Sequence, residues 1–180
     1  MNRRKVAIVV RGATCQAAPF TDTEWEIWGL PWISYPRVTR LFEIHEEGFY
    51  TGPDAERDGY VTQSQDRWPE VPVFCTESRA HVFKKPHPYP FGWVKACLPI
   101  MFLEDSVAHM IALAIAEKVD EIGLYGVHMM GAYASHRPSV TYLVGLAQGR
   151  GIKVTVAPGS PLFMSLYVQG RYGITDERRY

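Results

Sequence analysis

The chain is 180 residues long, carries 19 Lys and Arg against 19 Asp and Glu, and is 47% hydrophobic. That length suffices for one domain burying about 70% of its unfolded surface without disulfides or metal, and the composition excludes a disordered chain. Balanced charge gives no global field to gather nucleic acid, and three scattered cysteines (Cys15, Cys75 and Cys97) argue against a disulfide framework or a zinc module and fit a reducing compartment,.

The start, Met1-Asn2-Arg3-Arg4-Lys5, is basic, but the apolar run behind it stops at Arg11. It is too short for a secretory signal or a bilayer span, so the expected location is the cytoplasm, with no membrane partner. Lys5-Val-Ala-Ile-Val-Val10 predicts a buried, parallel-type strand ended by Arg11-Gly12,. Further strands are expected at Glu26–Leu30, Leu41–His45 and Val71–Cys75, the last with Pro72 marking an edge or a strand start,.

The clearest unit follows. Apolar and Ala positions from Asp105 to Val119 predict a helix capped by Asp105 or Ser106, then a strand Glu121–Tyr125 ended by Gly126,. Pro138 opens a second helix, with Val140, Leu143, Val144 and Ala147 on one stripe, and Ile152–Val156 is the next strand,. Helix and strand alternating through short connections predict an α/β fold, a Rossmann-like three-layer sandwich with a mainly parallel central sheet. The whole chain, 1–180, reads as one domain with a surface insertion at 47–70 and an aromatic, proline-rich loop at 81–102. That loop fits a lid or binding loop, a packed connection or a subunit contact. No internal repeat is visible.

In an open parallel sheet, ligands bind beyond the carboxyl ends of the strands at the switch point, so strand ends carry the site expectations. After the first strand, the turn at Gly12, Ala13 and Thr14 can hold a phosphate on backbone N–H groups, Thr14 adding a hydroxyl,. It is neither G-x-G-x-x-G nor a P-loop. His45, ending the third strand, can be a base or a substrate contact, or a strand-end histidine bonded to a neighbouring carbonyl,. Gly126 permits close approach of a ligand, and His128 follows it,. Ahead of the next helix, Tyr133, His136 and Arg137 suit an anionic substrate, Arg137 as a planar fork and His136 as a proton carrier,. Ser160, after the last strand, fits a ribose or phosphate contact or a plain turn. His45, His128 and His136 lack the spacing of a metal site, so no dedicated metal is expected, and Mg2+ would enter only with a nucleotide substrate,.

Ala108–Ala116, the strand Glu121-Ile-Gly-Leu-Tyr-Gly-Val127 and the Pro158-x-Ser160-x-Leu162 turn resemble the second half of a Rossmann-like group. That group includes the archaeal MptE-like 6-hydroxymethylpterin diphosphokinases and, more distantly, the bacterial sialyltransferases. The opening Val6–Gly12, Ala18-Pro19-Phe20 and Glu24–Leu30 look like uncharacterised phage-encoded members, which implies a host cytoplasm. The resemblance implies a nucleotide or nucleotide sugar held between the first loop and the loops after the last two strands. By analogy with the sialyltransferases, it implies a histidine base ahead of the penultimate helix, for which His136 is the nearest match. The chain departs from the group's Gly-x-Gly-Pro-Ser with Arg11-Gly12-Ala13-Thr14, and has His128 where the group often has an acid.

The leading expectation is therefore a nucleotide- or nucleotide-sugar-dependent transferase, acting by glycosyl or pyrophosphoryl transfer, with catalytic His136, His128 and His45. A non-catalytic nucleotide binder or phage accessory protein is the alternative. A nucleoside N-glycosidic transferase or hydrolase is a further one: Ser139–Ala147 faintly resembles the deoxyribosyltransferases, but Thr141 and Tyr142 stand where a nucleophilic glutamate is needed. A homo-oligomer is compatible with the sequence.

Overall fold

The computed structural model describes residues 3–45, 66–99 and 102–163. Seven strands form one sheet: β1 (Lys5–Val9), β2 (Trp25–Gly29), β3 (Arg40–Glu43), β4 (Val73–Cys75), β5 (Pro86–Pro88), β6 (Glu121–Tyr125) and β7 (Lys153–Val156). Their order is β5-β4-β3-β2-β1-β6-β7, and every pairing is parallel. Helices α1 (Phe91–Cys97), α2 (Ser106–Ala116) and α3 (Arg137–Gly149) flank it in an α/β architecture.

This strand order has a direct consequence. From β1 the chain winds outward to β5, then returns to the other side of β1 and winds away through β6 and β7. With right-handed crossovers, reversing the direction of winding moves the connections to the opposite face of the sheet. Accordingly α1, α2 and α3 pack on Val6, Ile8, Trp28 and Phe42, while Ala7, Val9, Ile27 and Leu41 face the segments between the earlier strands, including Tyr35 and Phe83. The winding reverses between β1 and β6, so the two connections leaving their carboxyl ends diverge to opposite faces. In open parallel sheets, such a switch point is where ligands bind.

Helix α2 reads correctly from sequence because it is buried almost all round: from Val107 to Ala116 all but His109 are buried. Asp105 caps it, Oδ1 accepting the Ala108 N–H at 2.7 Å. In α3, Val140, Leu143, Val144 and Ala147 are the buried stripe that the periodicity predicts. At the amino-terminal edge of the sheet, Arg4 and Arg40 neutralise Glu26 and Glu117 in a partly buried network, Arg4 bonding Glu26 and Glu117 at 2.6 Å each.

Two expectations are corrected. The segment 81–102 is not simply a loop: it contains β5 and α1, and Glu77–Val82 ahead of them is a 3-10 turn. Of the two readings of Pro72, the strand start holds and the edge does not: Val73–Cys75 begins just after it and is an inner strand, because β5 covers it. Pro86 and Pro88 blunt the true edge by removing ladder donors,. Of the expected insertion at 47–70, residues 47–65 lie outside the described residues.

Candidate functional site

Before they diverge, the connections after β1 and β6 are in backbone contact. Val10 N–H bonds the Tyr125 carbonyl at 2.9 Å and Gly12 N–H the Gly126 carbonyl at 3.0 Å, so the ladder continues past both strand ends. A Cβ on Gly12 would lie 2.2 Å from the Gly126 oxygen, and one on Gly126, at φ +72°, 2.1 Å from the Val10 oxygen. Gly126 is thus explained by close approach, but the partner that requires it is the β1 connection rather than a ligand.

Thr14 lies in the 3-10 turn Ala13–Ala17 and laces the same two loops. Its Oγ1 accepts the Gly126 N–H at 3.0 Å and stands 3.2 Å from His128 Nε2. With that lone pair engaged, the hydroxyl hydrogen is available to His128. The first bond within the turn runs from Cys15 N–H to the Gly12 carbonyl, which leaves the Ala13 and Thr14 amides ahead of it, where a turn's donors face outward demand,. The β7 connection joins this group: Ser160 Oγ donates to the Val127 carbonyl at 2.7 Å, and a Cβ on Gly159 would come within 4.0 Å of Thr14.

Arg137, the first residue of α3, turns its guanidinium onto the β7 connection, Nε donating to the Leu162 carbonyl at 2.5 Å and Nη2 to the Pro161 carbonyl at 2.8 Å. His136 precedes it, its carbonyl accepting the Ser139 hydroxyl at 2.9 Å and its ring edge-on to the exposed Tyr133. The loops after β1, β6 and β7 therefore converge, bringing together Gly12, Ala13, Thr14, Gly126, His128 and Ser160, with His136 and Arg137 at the head of α3.

His45 is placed differently. It follows β3, which β2 separates from β1, and its Nδ1 sits against Oε1 of the fully buried Glu43. Among the described residues, the other Glu43 oxygen has no hydrogen-bond partner.

Sequence reasoning missed two members of the site. Asp105, expected only as a cap, also faces His136, Oδ2 to Nδ1 at 3.7 Å. His109, one turn into α2, bonds the Asp105 carbonyl through Nδ1 at 2.7 Å and packs edge-on to Tyr89 and Phe91. Burial pushes the Asp105 carboxyl up from the usual carboxylate range, partly opposed by the Ala108 N–H and by His136. Burial pushes His109 below the usual imidazole value, opposed by its bond to Asp105, with His45 adding to the lowering,. The Asp105/His109 spacing on one helix end was the available signal; the pairing to His136, on another helix, had none.

Among the described residues, no group of three or more His, Cys, Asp or Glu side chains is placed to hold a metal ion, and no helix is long and apolar enough to cross a membrane. A cavity of about 560 Å³ lined by Cys97, Lys118, Asp120 and Arg150 lies at the opposite end of the sheet, beside the starts of β6 and β7.

No family model matches the chain, and no curated protein matches it by sequence. Solved structures do match. The sialyltransferase CstII from Campylobacter jejuni, in complex with cytidine-5'-monophosphate, aligns at a TM-score of 0.57 and 14% identity, over 88% of this chain and 82% of that one. The same enzyme with CMP-3FNeuAc aligns at 0.56 and 14%, over 88% and 82%. With a trisaccharide acceptor and CMP it aligns at 0.56 and 14%, over 88% and 83%. At these identities the likeness is one of fold. The sialyltransferase named in the resemblance drawn from sequence thus shares this fold, and the likeness does not bear on the pterin diphosphokinase or phage-encoded arms.

Proposed function

We propose that this protein is a glycosyltransferase that uses a nucleotide-activated sugar, bound where the connections after β1, β6 and β7 meet. The observation that carries the reading is the convergence of those three connections at the reversal of winding, with His136 at the head of α3. The shared fold of an enzyme crystallised with CMP and with an acceptor supports it.

In this reading the acceptor hydroxyl gives its proton to His136 Nε2 while its oxygen bonds the anomeric carbon. The bond from that carbon to the nucleotide phosphate breaks, and the phosphate oxygen keeps the electron pair. The Ala13 and Thr14 amides and the His128 ring are the donors within the crevice suited to that developing charge, and such stabilisation is the largest catalytic term expected. Mg2+, where the donor requires it, comes with the phosphates.

The test is a melting panel of nucleotides and nucleotide sugars followed by turnover assays. One nucleotide class should raise the melting temperature, and His136→Ala should lower turnover by about 10²-fold or more with the melt preserved. Absence of any nucleotide shift defeats the proposal. Binding without turnover on any acceptor would favour a sequestering role, which the internal bonding of Thr14, Ser160 and Arg137 makes a coherent second reading.

A further inference from the structure

We infer that Asp105 is a positioning residue that sets the tautomer of His136, holding the ring proton on Nδ1 and leaving Nε2 bare. The two carboxylate oxygens are differentiated by the fold. Oδ1 is held by the α2 cap, through the Ala108 N–H at 2.7 Å, and Oδ2 faces His136 Nδ1 at 3.7 Å. The Asp105 side chain is 13% exposed and that of His136 30%. Among the described residues, the buried His136 Nδ1 has no hydrogen-bond partner at normal distance.

A buried ring nitrogen with one acidic oxygen ahead of it is best satisfied as a donor. Closing the gap by about 1 Å makes the bond, and such contacts are commonly long before substrate arrives. The backbone that carries the His136 ring is held in place, its carbonyl bonded by the Ser139 hydroxyl and Arg137 behind it tied to the β7 connection. His109 provides a reference within the same cluster: its Nδ1 meets the Asp105 carbonyl, so its tautomer depends on the backbone and not on the carboxylate.

Asp105→Asn separates these roles. The amide oxygen keeps the α2 cap, for Asn caps as well as Asp. The amide NH2 then faces His136 Nδ1, which must become the acceptor, and the proton moves to Nε2. An imidazole in that form cannot take a proton at Nε2. That this proton comes from an acceptor hydroxyl rests on the proposed glycosyl transfer; the tautomer does not.

The experiment is imidazole 1H–15N correlation spectroscopy of the full chain labelled at its six histidines, with His136 assigned by His136→Gln. At about pH 8, where imidazoles are neutral, wild-type His136 should show the Nδ1–H pattern. Asp105→Asn should convert it to Nε2–H and leave His109 unchanged. An Nε2–H pattern in the wild type overturns the inference, and that spectrum decides even if the variant fails to fold. The same tautomer in both proteins overturns it as well. Turnover then tests the other reading: Asp105→Asn should lower kcat about 10²-fold or more with KM little changed. A switched tautomer with kcat intact removes His136 from the chemistry and leaves Asp105 as its positioning residue.

Discussion

Gly126→Ala tests the junction on which the crevice is built. The new Cβ would sit 2.1 Å from the Val10 oxygen, 2.8 Å from its carbonyl carbon and 2.9 Å from the Gly12 nitrogen, all backbone atoms that cannot swing aside. Relieving the contact parts the β1 and β6 connections by about 1 Å, in an interior too closely packed to absorb it,. That separation breaks the Gly12 N–H bond to the Gly126 carbonyl, now 3.0 Å. A left-handed backbone at Ala costs about 1–2 kcal/mol. Orphaning the buried Gly126 carbonyl adds roughly 1–3 kcal/mol, for a sum near 2–5. In a chain of this size, that sum corresponds to a fall in melting temperature of roughly 4–20 °C. Gly145→Ala is the control. Gly145 is exposed inside α3, a Cβ there meets nothing within 4 Å, and the substitution should stabilise by about 0.5–1 kcal/mol,. The assay is thermal and urea unfolding of both variants beside the wild type. A Gly126→Ala protein melting within about 2 °C of wild type would refute the argument, since that shift corresponds to no more than about 1 kcal/mol.

Tyr35→Phe should cost about 2–4 kcal/mol by urea unfolding, because its buried hydroxyl accepts the Leu30 N–H at 2.8 Å and donates to the Val9 carbonyl at 3.0 Å, and both lose their partner,. A loss under about 0.5 kcal/mol would mean that water replaces the hydroxyl. His109 carries a pH dependence: burial holds its folded pKa below the 6.5 of the unfolded chain. The unfolded state therefore binds the proton first as pH falls. The stabilisation is present above that value and lost as pH drops through the folded one. Melting profiles between about pH 5 and 7 should slope downward toward acid in the wild type and flatten in His109→Asn, and identical slopes would assign the effect to other groups.

The parts of the fold that were legible in sequence are those whose stability is local or strongly periodic. β1, β6, α2, α3 and β7 announce themselves by β-branched runs or a 3.6-residue stripe, and their ends fall within a few residues of the expected ones. β5 was illegible because Pro86-His87-Pro88 has no strand signal: its pairing comes from neighbours, with Val73 N–H bonding the Lys85 carbonyl and Tyr89 N–H the Cys75 carbonyl. Helix α1, only Phe91–Cys97, follows prolines that read as loop. In the site, the strand-end rule located the loops, but it could not say what each polar group touches. Gly126 was singled out for close approach of a ligand, and the structure supplies a different neighbour. Asp105 was visible as a cap, while its second oxygen faces a histidine brought near only by the packing of α2 on α3.

That distinction bears on how an anion would be held. Arg137 looks like a phosphate fork in sequence, yet its Nε and Nη2 are committed to the Leu162 and Pro161 carbonyls. Bonds to a charged group contribute about 1.5–3 kcal/mol each, so an anion recruiting the guanidinium must replace two of them or draw the β7 connection along with it. Ser160 is likewise spent on Val127, and Thr14 on Gly126. These side chains fix the three connections to one another before any ligand arrives. What remains suited to a phosphate is backbone at the start of the Ala13–Ala17 turn, together with the His128 ring. The glycines of this crossing serve chain against chain, so their presence is explained without a glycine-rich phosphate loop.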